Sequence, residues 1–415
     1  MTTVRLRHLA QVNPLTPAFD RLSDGDEVTF LPMEAVWPGS RLDTTRRRTK
    51  ASVATGYTRF QDGDVLVPKI TPTFEAGRSV LISGLLGGVG TGTTELHVVR
   101  PGPQIDPRFL LYAVSTHSFL KLGQAEMYGV AGQQRVPDTF LRNLPVALPP
   151  LAEQRRIADF LDAETARIDH LALKRRQMRN LLRLKRERVI ESMLGLERAQ
   201  TSGTLVPLKY LVAEVTVGIV ITPAKWYVET GGTPALRGLN VKPGSIHTGD
   251  LVQISPVGHA ENRKSRLSTG DVVVVRTGQA GAAAVVPAEL NGANCIDLIV
   301  VRPGNKISPK YLEYVLNSAY AIARVEEHSV GSIQAHFNVG AMRQIPIPSI
   351  AREEQDNIVR LLDTKVGALD LLYRRLHHQE QLLTERRQSL ITAAVTGQFD
   401  VSTASGRNVT DGVTP

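Results

Sequence analysis

The chain has a single cysteine, Cys295, in 415 residues. One thiol excludes an internal disulfide and any multi-cysteine zinc site, and it is the usage expected of a cytoplasmic protein. Aromatic residues make up only 5%, so the core is expected to be aliphatic. No apolar run approaches the roughly 18 residues a membrane span needs, and the opening MTTVRLRHLAQVNP lacks the apolar stretch of a signal peptide. Catalytic signatures are equally scarce. The nearest approach to the Asn/Asp-Pro-Pro-aromatic motif of amino methylation is Asn13-Pro14-Leu15, which fails it. The glycines from Gly87 to Gly92 lack the Lys-Ser/Thr ending of a phosphate-binding loop and read as a loose turn. The ten histidines show no metal spacing, and no context links Ser, His and Asp as a triad. No enzyme chemistry, metal or cofactor is expected in this chain.

What the chain does have is positive charge, +9 in all. That balance suits a polyanionic partner, nucleic acid before an anionic membrane surface.

It also repeats itself at a period of roughly 200 residues, far too long for a solenoid. VRLRHLA (Val4 to Ala10) matches VPLKYLVAE (Val206 to Glu214), and GDVLVPKI (Gly63 to Ile70) matches GDVVVVRTG (Gly270 to Gly278). HVVRPGPQIDPRFLLYAV (His97 to Val114) matches IVVRPGNKISPKYLEYVL (Ile299 to Leu316). LPVALPPLAEQRRIADFLD (Leu144 to Asp162) matches IPIPSIAREEQDNIVRLLD (Ile345 to Asp363). Four blocks in the same order mark a duplicated domain. Short β-branched runs bounded by Gly, Pro and Asp predict strands over Val65 to Ile70, Ser79 to Leu85 and Leu96 to Arg100. Pro107 to Leu122 reads as a helix packed against them. Each copy is therefore a mixed α/β domain.

Between and after the copies run two stretches of another kind. From Leu151 to Leu194 there is no Pro and only charged and aliphatic residues dominate. Alternating steps of four and three pick out Ile157, Leu161, Ile168, Leu171, Met178, Leu182 and Val189 as its apolar seam. The same stepping in the second copy picks out Ile358, Leu362, Leu369, Leu372, Leu376, Leu383 and Leu390. A period of 3.5 means coiled-coil packing, and each helix of some 40 residues would be about 60 Å long. The economical arrangement packs the two on each other as an antiparallel coiled coil; the alternative is two independent helices, each folded onto its own domain. The resulting plan is a first domain over 1–150, a long helix over 151–200, a second domain over 201–350, a second long helix over 351–401 and a disordered tail over 402–415. Acids at Glu153, Asp159 and Asp162 and the basic stretch Lys174 to Arg188 suit the helix dipole. The basic stretch also suits a phosphate backbone or an acidic partner.

PPLAEQRRIADFLD and PSIAREEQDNIVRLLD, each opening a long helix, resemble the signatures of the specificity (HsdS) subunits of type I restriction-modification systems, and LITAAVTGQFDV (Leu390 to Val401) resembles that family's usual ending. The resemblance implies a non-catalytic subunit with two target-recognition domains, each reading one half of a bipartite, asymmetric site on double-stranded DNA. It implies helices that act as a ruler and bind two methyltransferase subunits, with restriction/translocase subunits joining. S-adenosylmethionine and ATP would then sit on those partners, and the Glu-Gln pair would start the helix. A free-standing, internally duplicated DNA-binding regulator is the alternative, and an unseen nuclease a third reading.

Base readout needs forked or bidentate side chains, typically Arg or Lys to guanine and Gln or Asn to adenine. The candidates in the first domain are Arg46, Arg47, Arg48 and Lys50, then Lys69 at a strand end, and Gln133, Gln134 and Arg135 in a polar loop. In the second they are Arg276 and Gln279, and Gln334 with His336 in the corresponding loop. The triple Arg suits phosphates, which position a protein without specifying sequence.

Overall fold

Val65, Leu66 and Val67 form one strand with no exposed side on which to alternate. In the computed structural model, which describes residues 2–36, 42–130, 132–327 and 337–402, this strand is central to a four-stranded sheet. Its order is Ala10–Val12, Leu96–Pro101, Val65–Pro68, Val80–Leu81, with every neighbouring pair antiparallel. Successive side chains of a strand point to opposite faces. Val65, Val67 and Val99 therefore pack on the helices Pro107–Ala113 and His117–Ala125. Leu66, Leu96 and Val98 pack the other way, against Leu31 and Phe60 of a second sheet. That sheet runs Arg47–Thr49, Glu27–Leu31, Val89–Gly92, Thr58–Gln61, with its middle pair parallel.

The second copy repeats the plan. A sheet of order Glu214–Val217, Leu298–Arg302, Val272–Val275, Ala283–Val285 buries Val272, Val274, Ile299 and Val301 on the helix side. Val273, Val275, Leu298 and Val300 face the other core.

Three details depart from the sequence reading. The strand expected over Ser79 to Leu85 is only Val80–Leu81. The helix expected over Pro107 to Leu122 is two helices, because Thr116 caps the second by accepting from the Phe119 amide at 3.2 Å. Of the glycines expected in a loose turn, Gly87 and Gly88 do turn, but Gly90 and Gly92 lie in a strand: a Cβ on Gly92 would lie 2.2 Å from the Leu31 carbonyl oxygen. Glycine is there for the close approach of two parallel strands.

The repeated motifs are joints. Gln154 is fully buried; its Oε1 accepts from the Asp106 amide at 2.8 Å and its Nε2 donates to Gln104 O and Pro149 O at 3.0 and 2.8 Å. Gln355 repeats this with the Ser308 amide, Lys306 O and Ile350 O. Each glutamine satisfies loop groups that would otherwise be buried unpaired, and so welds a long helix to its domain. The closing acids serve the same joint: Tyr112 donates to Asp162 and Tyr314 to Asp363, each at 2.7 Å. Asp64 of the GDV block holds Arg100 of the VVRP block with two hydrogen bonds, at 2.8 and 2.9 Å.

The long helices span Leu151–Leu194 and Arg352–Thr396, about 66 Å each at ~1.5 Å per residue. The chain divides into two units across both of them: Met1–Arg176 with His378–Pro415, and Gln177–His377. In the first unit Arg387 pairs with Asp169 at 3.1 Å. There Leu390, Ile391, Ala394 and Val395 share a core with Ile157, Leu161 and Ile168. In the second unit Arg179 meets His377 at 2.7 Å and Arg186 meets Asp370 at 2.9 Å. There Ile190 and Leu194 share a core with Leu362 and Val366. In that unit numbering falls along one helix as it rises along the other, so the segments run antiparallel.

Burial departs from the expected seam at three of its fourteen positions. Leu161, Ile168, Leu362, Leu369, Leu376 and Leu390 are buried, as is Ile157, while Leu182, Val189, Ile358 and Leu383 are half-buried. Leu171, Met178 and Leu372 are 40%, 49% and 46% exposed. One residue further on, Thr165, Ala172, Arg179, Arg186, Val366 and Arg387 are buried or half-buried instead. A stripe chosen for apolar content misses positions where Arg179, Arg186 and Arg387 turn their stems inward and pair their heads across the helices. The tail expected over 402–415 lies outside the described residues from 403 onward.

Candidate nucleic-acid interface

The strand Val65–Pro68 ends at Lys69, beside Glu95, which opens the neighbouring strand, and the two residues share a backbone hydrogen bond at 2.8 Å. The polar loop after Tyr128 folds back as a short hairpin: the Arg135 amide donates to Tyr128 O at 2.9 Å, and the Val136 amide donates to Lys69 O at 2.9 Å. These links gather Lys69, Glu95, Tyr128 and Arg135 around an open cleft of about 410 Å³.

Within it Arg135 grips Glu95 with two donors, Nη2 to Oε1 at 2.7 Å and Nε to Oε2 at 2.9 Å. That guanidinium holds the Glu95 carboxyl below its ordinary value. Lys69 donates to Thr94 O at 2.9 Å, and burial lowers its ammonium pKa. His97 forms the floor, with Nε2 donating to Val136 O at 2.9 Å and Nδ1 accepting from Asn13 Nδ2 at 3.2 Å. Burial pushes its pKa down to about 4, so it is neutral near pH 7 and fixes the loop without adding charge.

At the corresponding strand end of the second domain a cation and an acid again stand side by side. Arg276 stands at the place of Lys69 and Asp297 at that of Glu95, and the two are joined at 2.6 Å. Arg276 also reaches Phe337 O at 3.2 Å, and the Phe337 amide donates back to Arg276 O. Gln279 is exposed on the following turn. Gln334 and His336 lie outside the described residues.

The other candidates stand apart from this cleft. Arg47–Thr49 is an edge strand. Arg46 pairs with Glu34 at 2.8 Å, Arg47 donates to Thr29 Oγ1 at 3.0 Å, and Arg48 lies 5.1 Å from the Phe30 ring centre. Lys50 is turned inward onto Leu22 O and Asp24, with its side chain 17% exposed. Gln133 is exposed, whereas Gln134 is half-buried and its backbone is tied to Thr71.

Sequence reasoning missed Asn13, Glu95 and His97. A signal for Glu95 existed, since Glu95-Leu96 and Asp297-Leu298 occupy one place in the two copies. Burial raises the Cys295 thiol to about 12, far from a reactive thiolate. Among the described residues no group of His, Cys, Asp and Glu is placed to hold a metal ion, and no helix is long and apolar enough to cross a membrane. The arrangement offers forked cations, amides and an aromatic ring at fixed positions, the equipment for recognising a polyanion with hydrogen-bonding edges.

Residues 73–177 match the type I restriction modification DNA specificity domain. Over 153 residues the chain is 39% identical to the specificity subunit of the type I restriction enzyme EcoEI of Escherichia coli, a match covering 36% of this chain and 25% of that one. It is 40% identical over 153 residues to the EcoAI subunit, covering 36% and 26%. The matched part thus spans about a quarter of the length of these two relatives. The EcoBI subunit aligns more widely, at 22% identity over 62% of this chain and 59% of its own. The fold matches a chain from a structure of type I R-M system assembly with a TM-score of 0.69 and 18% identity, over 96% of this chain and 98% of that one. It also matches the HsdS subunit of Thermoanaerobacter tengcongensis, with a TM-score of 0.51 and 17% identity over 96% and 97%. The matched segment is thus similar to the specificity subunits of type I restriction enzymes, and the whole fold resembles that of the two solved chains.

Proposed function

We propose that this chain is the non-catalytic DNA-recognition subunit of a type I restriction-modification complex, reading a bipartite, asymmetric site. The observation that carries the reading is the recurrence of a cation beside an acid at the same strand end in both copies, with different side chains (Lys69, Glu95 and Arg135 against Arg276 and Asp297). Equivalent placement gives each domain a half-site, and unlike residues make the half-sites unlike. In this reading the long helices form one antiparallel coiled coil that sets the spacing. Two methyltransferase subunits bind the chain and carry S-adenosylmethionine, restriction/translocase subunits carry ATP, and the assembly works in the cytoplasm.

The test is to purify the chain from its host with its bound proteins and to map methylated adenines in the host genome. The expected result is a methyltransferase in the complex and one interrupted, asymmetric motif, with the chain alone neither methylating nor cutting DNA. Turnover by the chain alone with S-adenosylmethionine would overturn the reading. Tight sequence-specific binding with no partner would favour a free-standing regulator.

A further inference from the structure

We propose that Glu95 is a positioning residue that aims Arg135 at a guanine in the half-site of the first domain, an assignment that rests on the function proposed above. Arginine has five N–H donors in a rigid fork. In Arg135, Nε and one N–H of Nη2 are taken by the Glu95 carboxylate at 2.9 and 2.7 Å, and one N–H of Nη1 goes to Gln133 O at 3.2 Å. The two that remain are one on each terminal nitrogen, Nη1 and Nη2. The backbone beneath is pinned through the Tyr128 pairing, and the side chain is 39% exposed. The fork is therefore held in place before DNA arrives.

Two donors on the two terminal nitrogens call for two adjacent acceptors. In the major groove, guanine presents O6 and N7, whereas adenine sets a donor beside N7 and the pyrimidines present no such pair. The carboxylate argues against a phosphate as the target. A phosphate would bring its charge close to Glu95, while a base edge carries only partial charges and tolerates a neutral ion pair. In the second domain the corresponding acid, Asp297, holds Arg276, whose side chain is only 16% exposed. The guanine contact assigned through Arg135 is one of the first domain.

The experiment uses the whole complex of this chain with its methyltransferase. It measures methylation on a set of duplexes in which each base pair of the site is replaced in turn, and in which each guanine is replaced by 7-deazaguanine, which lacks the N7 acceptor. Variants are Arg135→Ala, Glu95→Ala and the isosteric Glu95→Gln. The wild type is expected to lose about 5- to 150-fold on replacing one G·C pair of the first half-site, the range for one bidentate contact. It should also be sensitive to 7-deazaguanine at that pair. Arg135→Ala and Glu95→Ala should both become indifferent at that one position, with Glu95→Gln in between. Undiminished discrimination in the second half-site shows that each variant has folded. Three results would overturn the assignment: discrimination in the first half-site unchanged by Glu95→Ala, methylation weakened equally on all sequences, or a wild-type first half-site with no such guanine. A wild-type complex that methylates no bipartite motif at all would instead overturn the underlying functional reading.

Discussion

Arg387, near the end of the second long helix, donates from Nε to Asp169 of the first at 3.1 Å. One turn further on, Leu390 and Ile391 enter the core of the first domain beside Phe109 and Leu161. The core of the first domain is thus completed by a segment that follows the whole second domain in sequence.

Leu390→Ala removes a fully buried side chain and should cost about 2–5 kcal/mol. The loss should fall on the first unit alone. Hydrogen exchange is expected to quicken across Phe109 to Val114 while Tyr311 to Leu316 keeps its protection. Equal loss in both segments would contradict the partition of the cores.

The corrected stripe makes a second contrast. Leu171→Asp with Leu372→Asp places charge at positions already solvent-exposed and should shift stability by no more than about 0.5 kcal/mol. Ile168→Asp with Leu369→Asp buries two carboxylates and should cost several kcal/mol. Denaturant unfolding of the two double variants separates them, and a reversed order would restore the seam first read from the sequence.

His97 supplies the pH dependence. Its folded pKa, about 4, lies below the unfolded value of about 6.5. The unfolded chain therefore binds the proton first, and His97's contribution is fully present above about pH 6.5 and lost as pH falls toward 4. Between pH 7.5 and 5 this amounts to about 2 kcal/mol. Stability curves of the wild type and His97→Asn should converge over that window, and parallel curves would show that His97 does not carry the effect.

Much of this was legible in the sequence because duplication printed it twice. The GDV and VVRP blocks mark the strands joined by Asp64 and Arg100, and the Glu-Gln blocks mark the joints of Gln154 and Gln355. What the sequence hid follows from geometry that composition does not record. Gly90 and Gly92 look like a turn because nothing local shows the parallel strand pressed against them. Leu171 reads as a seam residue because apolarity was the criterion, whereas the inward positions belong partly to arginines whose partners lie some 200 residues away. Glu95 stayed hidden for the opposite reason, since a search for cations passes over the acid that orients one.

Arg179 and His377, joined at 2.7 Å, stand close to where the chain enters and leaves the second unit, Gln177–His377. That unit is consequently an insertion with a narrow neck. Everything it contains is one uninterrupted stretch of gene, and its two ends already meet as an antiparallel helical pair. Closing the neck with a turn of about 2–5 residues would leave a helical hairpin carrying the first domain, with every residue of that domain's core still in the chain. The second domain is in this sense a cassette, and the shortest path to a single-domain protein is one deletion, with no repacking of the core left behind.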